Sequence, residues 1–158
     1  MWSSNKKNKM SQDEKKNLKL ICKNPEDLKI VSAHLQDSIA TAKDMIFLKQ
    51  NRTFVMIVNR FMWEDVEKDV FRQNKRIRCA VKFEDVLKVK SKNINQKNKN
   101  KPLECLTIKN DKIFNENYQI KIFFSGGGII TIFSEVLEAF VQDLGSSWNV
   151  KYIPVHKI

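Results

Sequence analysis

His34 and Asp37 come nearest, by type and spacing, to acid–base chemistry. Three positions apart on a predicted helix, an imidazole and a carboxylate can meet. A carboxylate that orients an imidazole makes a general base, and such a base needs a nucleophile to act on. Ser32 and Ser38 stand near it in sequence. The same spacing equally describes a helix-edge histidine bonded to a neighbouring acid for stability, and this second reading is preferred. No catalytic residue is assigned on this basis; the chain reads as a binder rather than an enzyme. His156 is remote from His34, and the carboxylates show no repeated ligand spacing, so neither a metal nor a cofactor is expected.

Arg60, Trp63 and Glu64, with Asn59 and Asp65 beside them, form the polar and aromatic cluster best suited to recognition. Arginine and tryptophan recur in binding hot spots. If Arg60 ends a strand it stands near solvent with Trp63 close by. The opposing reading is a structural corner, with Trp63 on the core edge and Arg60 paired to Glu64 or Asp65. Gly126, Gly127 and Gly128 lack the following Lys-Ser/Thr of a phosphate loop, and an apolar strand-like run follows them. They are expected to supply positive φ in a hairpin, leaving an exposed tip that a partner's backbone can approach. Cys22, Cys79 and Cys105 are odd in number and far apart, each in an apolar segment. That argues against a disulfide framework or zinc site and for a reducing, cytoplasmic compartment.

The chain carries 29 Lys+Arg against 18 Asp+Glu, a formal charge of +11. Residues 1–23 hold seven Lys and two acids. The segment from 88 to 101 holds Lys88, Lys90, Lys92, Lys97, Lys99 and Lys101 with no acid. These two segments contain the whole excess, so the body is near neutral. The bases are mostly Lys, a weaker partner for bidentate phosphate recognition than Arg. Lys and Asn abundance is also what AT-rich codons yield. Nucleic-acid association through the Lys-rich tail and loop therefore stands as the alternative to a solvated charge run. No apolar run approaches the ~20 residues of a membrane span, and the first residues lack the apolar region of a secretory signal.

These residues must be positioned by a sheet. Leu18–Cys22 reads as a short strand. Asn24 is a good N-cap, Pro25 suits the first helical position, and Glu26 and Asp27 complement the dipole. Leu28, Val31, Leu35 and Ile39 then define a helix over 25–39. Met45–Lys49 and Thr53–Arg60 form an expected hairpin, and Arg76–Phe83 alternates like a strand with one wet face. Further strands are expected at 86–90, 103–108, 118–124 and 129–133. Val136, Leu137, Phe140, Val141 and Leu144 predict a C-terminal helix over about 134–144, stopped by Gly145.

The expected architecture is α+β: a mostly antiparallel bent sheet or split barrel of six to seven strands with two helices, as in pleckstrin-homology-like modules. A disordered basic tail occupies 1–16 and one domain spans 17–149. A mobile Lys/Asn-rich loop lies at 91–101, and 150–158, with Trp148 just before it, forms a loosely packed tail.

Several segments together carry a resemblance. Leu18-Lys19-Leu20-Ile21 leads into Pro25-Glu26-Asp27-Leu28 and Ser32-Ala33-His34-Leu35-Gln36-Asp37. Asn59-Arg60-Phe61-Met62-Trp63-Glu64, the Arg76–Val89 strands, and Gly126-Gly127-Gly128 through Asp143-Leu144-Gly145 follow. Over about residues 18–149 the chain resembles a small uncharacterised domain family of alphaproteobacteria, a domain of unknown function. The resemblance implies a bacterial, cytosolic, single-domain protein and no assigned activity. It also makes the 91–101 loop this sequence's own elaboration. The expected function is a cytosolic binding or assembly module that contacts a protein partner or itself.

Overall fold

A computed structural model describes residues 17–63, 74–114, 117–150 and 154. The basic tail over 1–16, Glu64, Asp65, His156 and most of 150–158 lie outside the described residues. The elements are β1 (Lys19–Cys22), α1 (Pro25–Leu35), β2 (Ile39–Leu48), β3 (Thr53–Phe61), β4 (Lys75–Phe83) and β5 (Val86–Lys92). They continue with β6 (Leu103–Phe114), β7 (Asn117–Phe124), a 3₁₀ turn (Ser125–Gly127), β8 (Ile129–Ser134) and β9 (Ala139–Asn149).

The described strands form one open antiparallel sheet in the order β1-β9-β4-β3-β2-β6-β7-β8-β5. Nine strands replace the expected six to seven. Its halves join through two residue pairs, Ile39 with Glu104 and Ala40 with Leu103. The inner faces of both halves contribute to one core, in which Met56, Val81 and Val141 meet Ile108, Ile122 and Ile132 beneath Leu28, Val31 and Leu35 of α1. Beyond Leu103 no strand among the described residues lies beside the outer edge of β6, and α1 covers it. Ser32 Oγ accepts the Ile108 N–H at 2.9 Å and lies 3.2 Å from Thr107 Oγ1.

The helix begins where Asn24 and Pro25 place it: Asn24 Oδ1 accepts the Asp27 N–H at 2.8 Å. It ends at Leu35 rather than Ile39. Asp37 turns into the left-handed region (φ 63°), its N–H donates to Cys105 O, and Ser38 O accepts from Cys105 N–H. Those bonds draw Ile39 into β2.

The C-terminal helix is the larger correction. Ser134 ends β8, and 139–149 form β9 between β1 and β4. Ala139, Val141 and Asp143 alternate inward with period two, which the helical stripe through Phe140 and Leu144 disguised. Gly145 (φ 68°) belongs to a bulge where β9 gains residues against Ile77, so it is not a helix stop. Trp148 belongs to β9, not to a loose tail. The pleckstrin-homology-like arrangement, which rests on a terminal helix, does not apply. The Lys/Asn-rich loop shortens to 93–102 and is shaped by side-chain turns. Asn95 Oδ1 accepts from the N–H groups of Lys97 and Asn98, and Asn98 Oδ1 accepts from that of Asn100.

Candidate functional site

The recognition cluster resolves into a buried pair and a knitted corner. β3 points Arg60 inward and β9 points Asp143 at it across β4. The guanidinium donates through Nε and Nη2 to both carboxylate oxygens at 2.7 Å, and both side chains are 0% exposed. Asp143 also accepts the Leu18 N–H at 2.7 Å. The expectation of an Arg60 near solvent is thus corrected, and Asp143 is an acid partner the expectation did not include; Glu64 and Asp65 lie outside the described residues. Trp63 stays half-buried: its indole donates to Gln36 O at 2.9 Å and meets the Phe61 ring edge-on at 4.6 Å. Arg76 closes the corner, 5.7 Å over Phe61 and bonded to the carbonyls of Asp37 and Asn59. Burial pulls the Arg76 pKa below its ordinary value, against the opposing pull of Asp37.

The acid–base candidates do not share a helix face. His34 is half-buried on the last turn of α1, whereas Asp37 lies beyond the helix end and is 2% exposed. Ser32 is engaged with β6, and Ser38 is fully buried. The thiols are poor nucleophiles. Burial, with Asp143 nearby, pushes Cys79 up to about 12; burial, with Asp37 nearby, does the same to Cys105; burial raises Cys22 to about 11. Among the described residues no three His, Cys, Asp or Glu side chains gather as a metal-ligand set.

Gly126 and Gly127 carry φ of 76° and 81°, so the turn geometry demands them. Gly128 has ordinary φ but little room, because an added Cβ would lie 3.4 Å from Ile94 and 3.5 Å from Asn93 O. Asn93 Nδ2 also donates to Gly127 O, tying this tip to the Lys-rich loop. Lys88, Lys90 and Lys92 project from the exposed side of the edge strand β5, and Lys97, Lys99 and Lys101 lie in the loop that follows.

The register also assembles a surface that the sequence analysis did not single out. On the outer face of the β1-β9-β4-β3-β2 half, Ile21, Phe140, Lys82, Val55 and Ile46 fall in one row across five strands. Ile21 is 53% and Ile46 54% exposed. The row's single cation, Lys82, is bonded to Glu84 at 2.7 Å and sits 5.8 Å over the Phe140 ring. Beside this face, where β2 bulges between Ala40 and Met45, a cavity of about 380 Å³ is lined by Asp44, Asn59, Arg78 and Trp148 among others. The unbroken apolar run Phe54–Val58 was the available signal, since a strand apolar on both faces is normally covered on both.

Comparison with known proteins adds lineage. A family model described as a protein of unknown function (DUF2948) matches residues 18–156. The chain belongs to that family. No curated protein and no solved structure matches it. Among the described residues no helix is long and apolar enough to cross a membrane.

Proposed function

We propose that this member of the family is a non-catalytic assembly module that docks through the outer face of its β1-β9-β4-β3-β2 half, with a second copy of the chain as the occupant. The observation that carries this reading is the five-strand row of Ile21, Phe140, Val55 and Ile46 around an already paired Lys82. Adjacent strands lie about 4.8 Å apart, so the row is roughly 19 Å wide. An exposed apolar strip of that breadth favours a protein surface. Charge favours a copy of itself: the internally neutralised row meets its own image without like-charge repulsion. A cytosolic setting accords with three reduced, buried thiols.

The test is sedimentation velocity of the full chain from about 1 to 100 μM, beside Ile21→Lys and Ile46→Lys. The wild type should shift from monomer to dimer with concentration. Both variants should remain monomeric with unchanged circular dichroism, because neither side chain is in the core. A wild type that stays monomeric throughout refutes self-association. Capture of a different protein that both variants lose would reassign the face to a hetero-partner.

A further inference from the structure

The four strands β6-β7-β8-β5 present a second outer face of opposite character. Register aligns Lys90, Thr131, Lys121 and Lys109 in one row, Lys92, Ile129, Phe123 and Thr107 in the row above, and Lys88, Phe133 and Gln119 in the row below. Lys88, Lys90, Lys92 and Lys109 are exposed, while Lys121, Phe123 and Phe133 are half-buried. Asp111, on β6, is bonded to Lys121 at 2.9 Å. The other acid among these strands, Glu104, sits at the junction with β2. Lys97, Lys99 and Lys101 follow from the Lys92 end of the face.

Lysines on an edge strand can serve merely to prevent sheet-to-sheet pairing. That accounts for Lys88, Lys90 and Lys92 on β5. It does not account for Lys121 on the interior strand β7, or for Lys109 on β6, whose outer edge α1 covers. Nor does it account for two phenylalanines alternating outward among them. Lys90 already holds its ammonium 5.8 Å over the Phe133 ring, so a cation and an aromatic face occupy one spot. From strand rise and spacing, Phe133 and Phe123 stand about 14 Å apart.

We infer that this face binds single-stranded nucleic acid, the lysines contacting phosphates while Phe123 and Phe133 stack on bases. A broad sheet surface with cations and aromatics interleaved suits an unpaired strand, whose bases are free to turn onto the rings. A duplex hides those bases and asks for an element that enters a groove, which a flat face does not supply. The site is separate from the apolar row and stands whether or not that row makes a dimer.

Fluorescence anisotropy of the full chain with a labelled 20-nucleotide mixed-sequence single strand tests this, with the matching duplex, heparin and phosphatidylserine-containing vesicles as competitors. The single strand should bind at about 50 mM salt, with log affinity falling against log salt by ~0.7 per phosphate contact. Lys90→Gln/Lys109→Gln/Lys121→Gln should reduce both affinity and that slope. Phe123→Leu and Phe133→Leu, which keep apolar bulk, should each weaken binding by roughly 5-fold or more, up to ~150-fold, with the salt slope unchanged. Circular dichroism checks the fold of each variant; should a Phe variant unfold, the lysine triple variant, which touches no core side chain, carries the test. The inference is overturned by absence of binding, by an unaltered triple variant, or by duplex or heparin binding as tightly with no effect of a folded Phe variant. Tighter binding to the vesicles would likewise overturn it in favour of a membrane surface.

Discussion

Replacing Arg60 by Met while Asp143 stays in place should cost about 3–5 kcal/mol, because it strands a carboxylate in the core. The structure sets that size. Both oxygens of Asp143 are held by the guanidinium at 2.7 Å, both side chains are fully buried, and the Leu18 N–H already donates to the carboxylate. Against a typical domain stability of about 5–15 kcal/mol, such a loss approaches unfolding. For a domain of this size it corresponds to roughly 10–17 °C in Tm. Asp143→Leu should also destabilise, by more than about 1 kcal/mol, because it removes two 2.7 Å bonds from a buried guanidinium. The double variant Arg60→Met/Asp143→Leu removes both charges and leaves an apolar pair in their place. It should return to within ~1–2 kcal/mol of wild type, short mainly of the bond from Leu18. Equilibrium urea unfolding at 25 °C, followed by far-ultraviolet circular dichroism, reads all four proteins. The reasoning fails if either single variant costs less than about 1 kcal/mol, or if the two losses simply add in the double variant.

Alkaline pH should weaken the fold through its thiols. Burial raises their native pKa values above the ordinary thiol value of 9.0, to about 12 for Cys79 and Cys105, so their contribution is whole below pH 9 and is lost as pH rises through the native values. Each of these two should cost about 1 kcal/mol by pH 10, and Cys79→Ala should flatten the stability slope between pH 9 and 10 in urea titrations. The same protonated thiols should resist a disulfide reagent at pH 8 in the native protein and react fully in urea. Asn24→Ala should lower stability by about 1 kcal/mol through loss of the cap on α1, measured by thermal unfolding. Gly127→Ala should cost ~1–2 kcal/mol from its left-handed backbone alone, since nothing lies closer than 3.7 Å to the new methyl; a neutral result would show that the turn tolerates another geometry.

Local chemistry was enough to write the parts of this fold that depend on neighbours in sequence. Asn24-Pro25 starts α1 because cap and ring act within one turn. Ile77, Cys79, Val81 and Phe83 announce β4 by their period of two. The turn at Gln50–Arg52 closes the β2–β3 hairpin where expected, with Arg52 in the left-handed region. Long-range pairing decided the rest. Asp143 is a polar residue at an inward position, so its own segment imitates a helix; Arg60, 83 residues away, and the Leu18 N–H make that position tolerable. The end of α1 was set by Cys105, which competes for the backbone of Asp37 and Ser38. The two proposed binding faces depend on register for the same reason. Sequence alone determined that Lys90, Lys109, Lys121, Ile21 and Ile46 exist and which way each alternates within its strand. Hydrogen-bonded register between remote strands decided that the three lysines share one row and the two isoleucines another, because only pairing turns separate alternations into a surface.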